Sequence, residues 1–153
     1  MTPEYYLNSL ISAFPDAVSE TSSFRGECSV TVKNSSYYAV AVFLKEKMNF
    51  DTLSDITAAD YFPREPRFVL SAQLFSSAAA SRLRLKCVLA DGAAAVSLKQ
   101  LWSGAGWLER EVYDMFGIDF GDGPRRLFMP HDFAGFPLRK DFKKSGTGSG
   151  EEK

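Results

Sequence analysis

The feature that most constrains the fold is a strict two-residue alternation of apolar and polar side chains. Residues 82–87 read Arg-Leu-Arg-Leu-Lys-Cys, and residues 28–33 read Cys-Ser-Val-Thr-Val-Lys. Because successive side chains of a β-strand point to opposite faces, each run predicts a strand with one buried face and one solvated face. The three cations of residues 82–86 would line the solvated face, an interpretation that we favour over a nucleic-acid site.

Helix signals alternate with further strand signals along the first part of the chain. Thr2-Pro3-Glu4 is a favourable helix start, with a hydroxyl at the cap and Pro at the first helical position, and Pro15 ends that helix. Asn34-Ser35 is expected to cap a second helix. Strands are predicted at residues 17–24, 28–33, 51–62, 67–76 and 82–87. The order helix, two strands, helix, three strands predicts an α+β fold, a two-layer sandwich followed by a short helix and an extended, irregular C-terminal arm.

We divide the chain into three parts on this basis. Residues 1–92 form the α+β domain, and residues 93–143 form a helix and an extended, partner-wrapping arm. Residues 144–153 are rich in Gly and Ser and are expected to be a disordered tail.

The segment of residues 105–142 has an unusual composition. Its first part predicts about three helical turns that end at Gly117, a residue suited to the left-handed backbone of a helix end. This helix places four charged side chains among large aromatic ones, and such charges are costly to bury in a protein's own core. The arm that follows has no helical or strand period. We therefore expect the segment to lie against another protein.

Composition excludes several classes of function. Eighteen basic and nineteen acidic residues leave a formal net charge of −1, which gives no general attraction to nucleic acid or anionic lipid. The sequence contains no run of about 18 apolar residues, so it predicts no membrane span. The N-terminus lacks the basic and apolar regions of a secretory signal. Cys28 and Cys87 lie in alternating apolar runs and are expected to be buried reduced thiols, with a disulfide as the alternative. A zinc or iron–sulfur site is not expected, because no paired-cysteine spacing exists to hold one.

Candidate catalytic residues are few. His131 is the sole histidine, and we expect it to be a loop residue that hydrogen-bonds near Asp132. Glu111 and Asp114 share a helix face and could pair for acid/base chemistry. Arg110, at a four-residue spacing from Asp114, is expected to neutralise it, which favours structural carboxylates. A free-standing acid/base enzyme is the alternative, and a general protein-interaction module is another.

Residues 107–120, Trp-Leu-Glu-Arg-Glu-Val-Tyr-Asp-Met-Phe-Gly-Ile-Asp-Phe, resemble the signature of the thirty-kilodalton subunit of respiratory complex I, the NADH-quinone oxidoreductase. Residues 125–130 (Arg-Arg-Leu-Phe-Met-Pro) and 135–142 (Gly-Phe-Pro-Leu-Arg-Lys-Asp-Phe) resemble the segments that follow it. The order of helices and strands is also similar, so the resemblance covers about residues 3–143. The chain departs from the family at residues 121–124, where Gly-Asp-Gly-Pro runs directly into Arg125-Arg126 without the usual His-Pro pair and Leu. We expect a shorter, rebuilt loop there.

The resemblance implies an accessory subunit of the hydrophilic arm of a proton-pumping NADH:quinone oxidoreductase. It implies no cofactor, metal or catalytic residue in this chain, while the complex uses iron–sulfur clusters, FMN and quinone. It implies a peripheral position on the cytoplasmic side of the membrane. The implied partners are the large quinone-site subunit and the subunit with the terminal iron–sulfur cluster. Equivalent subunits of membrane-bound hydrogenases, of ferredoxin- or F420-dependent dehydrogenases, or of the photosynthetic complex are the nearest alternatives.

The resemblance also implies an interface with three kinds of residue. The expected interfacial ion-pair residues are Glu109, Arg110, Glu111 and Asp114. The charged residues of the arm that are expected at the partner interface, where the basic ones would bind partner carboxylates, are Arg125, Arg126, Arg139, Lys140 and Asp141. The expected apolar contacts are Trp107, Phe116, Phe136 and Phe142.

Overall fold

The computed structural model describes residues 2–123 and 125–144. Its helices and strands, in chain order, are α1 (Pro3–Ala13), β1 (Val18–Phe24), β2 (Glu27–Lys33), α2 (Tyr37–Met48), β3 (Thr52–Asp60), β4 (Phe68–Ser76), β5 (Ser81–Leu89) and α3 (Ala105–Phe116). This order confirms the predicted α+β fold. Residues 145–153, most of the predicted tail, lie outside the described residues.

The five strands form one mixed sheet in the order β1-β2-β5-β4-β3. The pair β2–β5 is parallel, and the other neighbouring pairs are antiparallel. The run of residues 82–87 therefore lies in the central strand, with Leu85 beside Val30 on one side and beside Ala72 on the other. These partners point to the same face, because directly opposite residues in a sheet do so.

All three helices cover that one face of the sheet. Tyr6 of α1 contacts Phe50 after α2, with ring centroids 5.1 Å apart. Phe116 of α3 contacts Phe68 of β4, with ring centroids 6.4 Å apart. The two-layer arrangement is confirmed. One apolar cluster contains side chains from before and after residue 92, the predicted domain boundary, so α3 shares a core with the five-stranded sheet.

The start of α2 differs from the expectation. A short 3-10 turn, Asn34–Ser36, precedes the helix, and no side-chain hydrogen bond caps it. The Asn34 amide instead donates to the carbonyl oxygen of Ala94 at 2.9 Å. The side chain therefore connects the sheet to the segment that leads into α3, a distant partner that local spacing did not indicate.

The two cysteines are buried free thiols, as predicted. Both alternate with polar residues and point into the core. Burial raises the pKa of Cys87 to about 12, so its thiol stays protonated at neutral pH. Within residues 2–123 and 125–144, no helix combines the length and the apolar character needed to cross a bilayer.

Candidate partner-docking surface

The helix α3 ends at the predicted residue. Gly117 adopts a left-handed backbone with φ of 75°. A Cβ added to Gly117 would lie 2.5 Å from the ring of Phe136, so the arm after the helix packs directly against this glycine. The apolar face of α3 buries Val112 and Phe116, and two of its carboxylates, Glu109 and Asp114, are buried as well.

Asp114 binds the arm through its carboxylate. Its Oδ2 accepts hydrogen bonds from the backbone N–H groups of Leu127, Phe128 and Met129, at 3.2, 2.7 and 3.0 Å. Burial would raise the pKa of this carboxyl, but these donors and the Arg126 guanidinium at 3.4 Å outweigh it and hold the pKa below its usual range. Asp114 is therefore a charged acceptor that orders the chain after residue 124.

The predicted ion pair between Arg110 and Asp114 is wrong. The Arg110 Nε and Nη2 donate to the backbone oxygen of Arg126 at 3.1 and 2.6 Å, and the guanidinium lies over the Trp107 ring at 5.6 Å. The arm supplies the donors of Asp114 instead. A four-residue spacing brings two side chains to one side of a helix, but a nearby backbone can compete for either of them.

Arg126 holds the irregular part of the arm in place. Its Nη1 donates to the Asp114 carbonyl oxygen at 3.1 Å, and its Nη2 donates to the carbonyl oxygens of Phe133 and Gly135 at 2.7 and 2.9 Å. The planar guanidinium, with five donors, can bind several carbonyls at once. Arg126 therefore makes its hydrogen bonds within its own chain.

A second cluster, the arginine clasp, fixes the end of the arm to the sheet. The buried Arg67 contacts Asp60, Asp91 and Asp141 at 2.9, 2.9 and 2.6 Å. The backbone N–H of Lys140 also donates to Asp60 Oδ2 at 2.8 Å. The hydrogen bonds from Arg67 hold the pKa of the Asp60 carboxyl well below its usual range despite burial. Sequence reasoning missed this clasp, since its members come from four separate parts of the chain.

Arg139 binds the C-terminal end of α3. Its Nε donates to the carbonyl oxygen of Phe116 at 2.6 Å, and its Nη1 lies 3.4 Å from Asp91. A cation at this position satisfies an end carbonyl of the helix and matches its dipole. Together with the clasp, this contact shows that residues 105–142 fold back onto their own domain. The charges of this segment were expected to need a partner, but most of the buried ones are satisfied internally.

The predicted apolar contacts divide into buried and exposed side chains. Phe116 is buried, while Phe136 packs against Tyr113 and Phe142 stacks on Phe133. Trp107, in contrast, is 65% exposed. Sequence reasoning missed two further exposed side chains, Phe128 and Leu138, at 63% and 55%. Both lie within the segments that carry the resemblance. These segments have no helical or strand period, so their sequence does not show which apolar side chains are exposed.

A cavity of about 240 Å³ lies beside Trp107, lined in part by Glu109, Arg110, Tyr113 and Arg125. Glu109 accepts hydrogen bonds from Ser97 Oγ at 2.5 Å and from the backbone N–H of Leu98 at 2.6 Å. Burial raises the pKa of this carboxyl. Glu109 therefore lines the cavity but is held by hydrogen bonds within its own chain, which indicates a structural role.

Glu111 and Asp114 do not form an acid/base pair. Glu111 is exposed, whereas Asp114 is buried beneath its donors with a depressed pKa. A general base needs access to substrate and a pKa near the working pH, and Asp114 has neither. Among residues 2–123 and 125–144, no three His, Cys, Asp or Glu side chains are grouped as metal ligands. His131 is exposed on the arm beside Asp132.

The predicted interface residues Arg125, Lys140 and Asp141 are exposed, and Asp141 belongs to the arginine clasp. Lys140 lies near the Tyr61 ring, with its Nζ 6.0 Å from the ring centroid. The loop after α3 is held partly by an ion pair of Lys99 with Asp122 and by a hydrogen bond from the Gly121 N–H to Asp119 at 2.8 Å.

Known proteins resemble this chain over most of its length. Residues 30–148 match the family described as the respiratory-chain NADH dehydrogenase, 30 Kd subunit. The C subunit of the NADH-quinone oxidoreductase of Geotalea uraniireducens is 38% identical over 136 residues, which cover 87% of this chain and 83% of that protein. Its counterpart in Trichlorobacter lovleyi is 42% identical over 139 residues, which cover 88% and 86%.

A solved structure shares the fold. It is a chain of the membrane-bound sulfane sulfur reductase, an archaeal respiratory membrane complex, with 24% identity and a TM-score of 0.73. The match covers 92% of this chain and 85% of that one.

Proposed function

Because the chain belongs to the family of the thirty-kilodalton subunit of respiratory-chain NADH dehydrogenase, we propose that it fills this place in the hydrophilic arm of a NADH:quinone oxidoreductase. In that complex it assembles and stabilises the module that contains the iron–sulfur clusters and the quinone site. Residues 105–142 lie against the large quinone-site subunit and the subunit with the terminal cluster. The complex is held on the cytoplasmic side of the membrane by its other subunits.

One observation carries this proposal. Residues 105–142 satisfy their buried charges internally yet leave Trp107, Phe128 and Leu138 more than half exposed. A segment already ordered before binding loses little conformational entropy when a partner covers it. Burying a large apolar side chain contributes about 1.5–3 kcal/mol, and Trp is among the residues that dominate protein interfaces. The arm is therefore a prepared docking surface.

The proposal assigns electron transfer to the neighbouring subunits. Iron–sulfur clusters need several cysteine thiolates, and the two cysteines of this chain point into its core as protonated thiols. The described carboxylates of residues 105–142 are engaged in structural contacts or exposed singly. The chain thus positions its partners and contributes no catalytic residue or cofactor of its own.

The test is co-purification of the tagged chain from membranes in mild detergent, followed by mass spectrometry and a quinone-reductase assay. We expect iron–sulfur and quinone-site subunits in the same fraction. The double variant Trp107→Ala/Phe128→Ala should reduce their recovery by at least about thirtyfold, since truncating one interface hot spot costs about 2 kcal/mol or more.

The matched control is Tyr5→Ala. Tyr5 is 51% exposed on α1, away from residues 105–142 and from the sheet face opposite the helices. Its truncation should leave recovery unchanged. Equal losses in the control and the double variant would show that loss of any exposed aromatic side chain impairs assembly, and that residues 105–142 have no special part in it. Recovery of the unmodified chain without respiratory subunits would refute the proposed function itself.

A further inference from the structure

Among the residues that the structure describes, no helix lies over one face of the sheet. All three helices pack on the face that contains the buried alternate residues of β4 and β5. The opposite face presents partly or fully exposed side chains from β2, β4 and β5, polar at its centre and apolar towards its ends at Val69, Phe75 and Val88. We call it the open sheet face, and its central residues are Ser29, Ser71, Gln73, Arg82, Arg84 and Lys86.

The centre of the open sheet face is a row of cations. They belong to β5, the middle strand, and alternate with its buried residues. Arg84 lies between Ser29 and Gln73 of the adjacent strands, and Lys86 lies opposite Ser71. These neighbours are short or neutral, so the positive charge is not balanced by cross-strand partners.

Two of the three cations have no carboxylate partner among residues 2–123 and 125–144. Arg82 lies 3.9 Å from Glu27, with both side chains mostly exposed. For Arg84 and Lys86 no ion pair forms within the described chain, and the Arg84 Nε is buried without a hydrogen-bond acceptor. Arg84 as a whole is partly exposed, so a carboxylate from outside the chain can still pair with its guanidinium.

The surroundings of the row favour a narrow acidic ligand. Asp55 on β3 is in register with Gln73, and Glu20 on β1 is in register with Thr31, so carboxylates flank the cations on both sides. A membrane surface or a nucleic acid would meet this negative charge at both edges. A single helix about 10 Å wide would cover only the central strands, which lie about 4.8 Å apart.

Spacing also matches a helix. Alternate residues of a strand are about 6.8 Å apart, and helical residues at i and i+4 rise by about 6 Å. We propose that the open sheet face binds a helix of a neighbouring subunit that presents Asp or Glu at i and i+4 to Arg84 and Lys86. This inference rests on the proposed function, because it names the chemistry of one partner in the same complex.

The test places a photo-crosslinking amino acid at Gln73 in the assembled complex and identifies the adduct by mass spectrometry. We expect a peptide from a neighbouring subunit with acidic residues at i and i+4. The variant Arg84→Glu/Lys86→Glu should reduce this adduct at least about tenfold, because opposed like charges replace ion pairs. Lys47→Glu, an exposed charge reversal on α2, should leave the adduct unchanged.

The outcomes separate the two proposals. If the chain co-purifies with the respiratory subunits but Gln73 crosslinks only to lipid, to nucleic acid or to nothing, the helix proposal is refuted and the proposed function stands. An adduct that survives the double charge reversal at full yield would also refute it, since the cations would then play no part. Absence of the chain from any respiratory complex would refute both proposals.

Discussion

The strongest test of how the arm is ordered is the substitution Asp114→Asn. It keeps the shape of the side chain but removes its negative charge. In the wild-type chain one buried carboxylate oxygen accepts three backbone N–H groups, from Leu127, Phe128 and Met129. An asparagine can keep one oxygen in that position, and its NH2 group would then face the Arg126 guanidinium, donor against donor.

The expected cost follows from those contacts. A hydrogen bond to a charged group contributes about 1.5–3 kcal/mol, and a neutral one about 0.5–1.5, so each of the three bonds weakens by about 1 kcal/mol. We expect the free energy for opening residues 125–129 to fall by about 3 kcal/mol. Each 1.4 kcal/mol is a factor of ten, so opening should become about a hundredfold more frequent.

Amide hydrogen exchange on the full chain measures this opening directly. The amides of Leu127, Phe128 and Met129 should exchange about a hundredfold faster in the variant. The matched control is Glu111→Gln, which removes an exposed carboxylate from the same helix and should change stability by less than about 0.5 kcal/mol.

A different result would refute the reasoning. If these three amides accelerate less than about threefold, while the melting temperature of the whole chain falls, Asp114 stabilises the core and does not order the arm. If the control accelerates them equally, helix charge rather than direct hydrogen bonding is responsible.

Three further outcomes are expected. Gly117→Ala should cost about 2–3 kcal/mol in urea unfolding, because φ is positive there and the new methyl meets Phe136, whereas Gly104→Ala, with open space around it, should not destabilise the chain. Asp141→Asn should weaken the arginine clasp, seen as faster amide exchange at the end of the arm with the β-strands unchanged. Burial raises the pKa of Glu109, so ionisation is less favourable in the folded chain, and stability should fall as pH rises above the ordinary glutamate pKa. Glu109→Gln should remove this fall in urea titrations between about pH 4 and 8, and an unchanged slope would contradict it.

Much of the fold follows from local sequence patterns. The alternation in residues 28–33 and 82–87 predicts strands because strand geometry repeats every two residues, and those strands lie side by side in the sheet. Gly117 ends α3 as predicted, because a left-handed residue at a helix end has a strong local preference. Patterns of this kind depend only on neighbours along the chain.

The family was also evident from sequence, through the motif of residues 107–120 and the segments after it. The motif indicates which residues belong together but does not say what each side chain contacts. Phe116 and Phe128 both lie in segments that carry the resemblance, yet the first is buried and the second is 63% exposed. That difference depends on how the arm folds back across α3.

Local patterns were thus enough to specify the α+β order, the strand faces and the family, but the pairing of charges depended on the three-dimensional path of the chain. Helical spacing paired Arg110 with Asp114, whereas the returning arm supplies the Arg126 guanidinium and three backbone donors to that carboxylate instead. Arg67 binds carboxylates as distant along the chain as Asp141, because a buried charge must find partners wherever the fold brings them. Such contacts arise between segments far apart in sequence, and no local period encodes them.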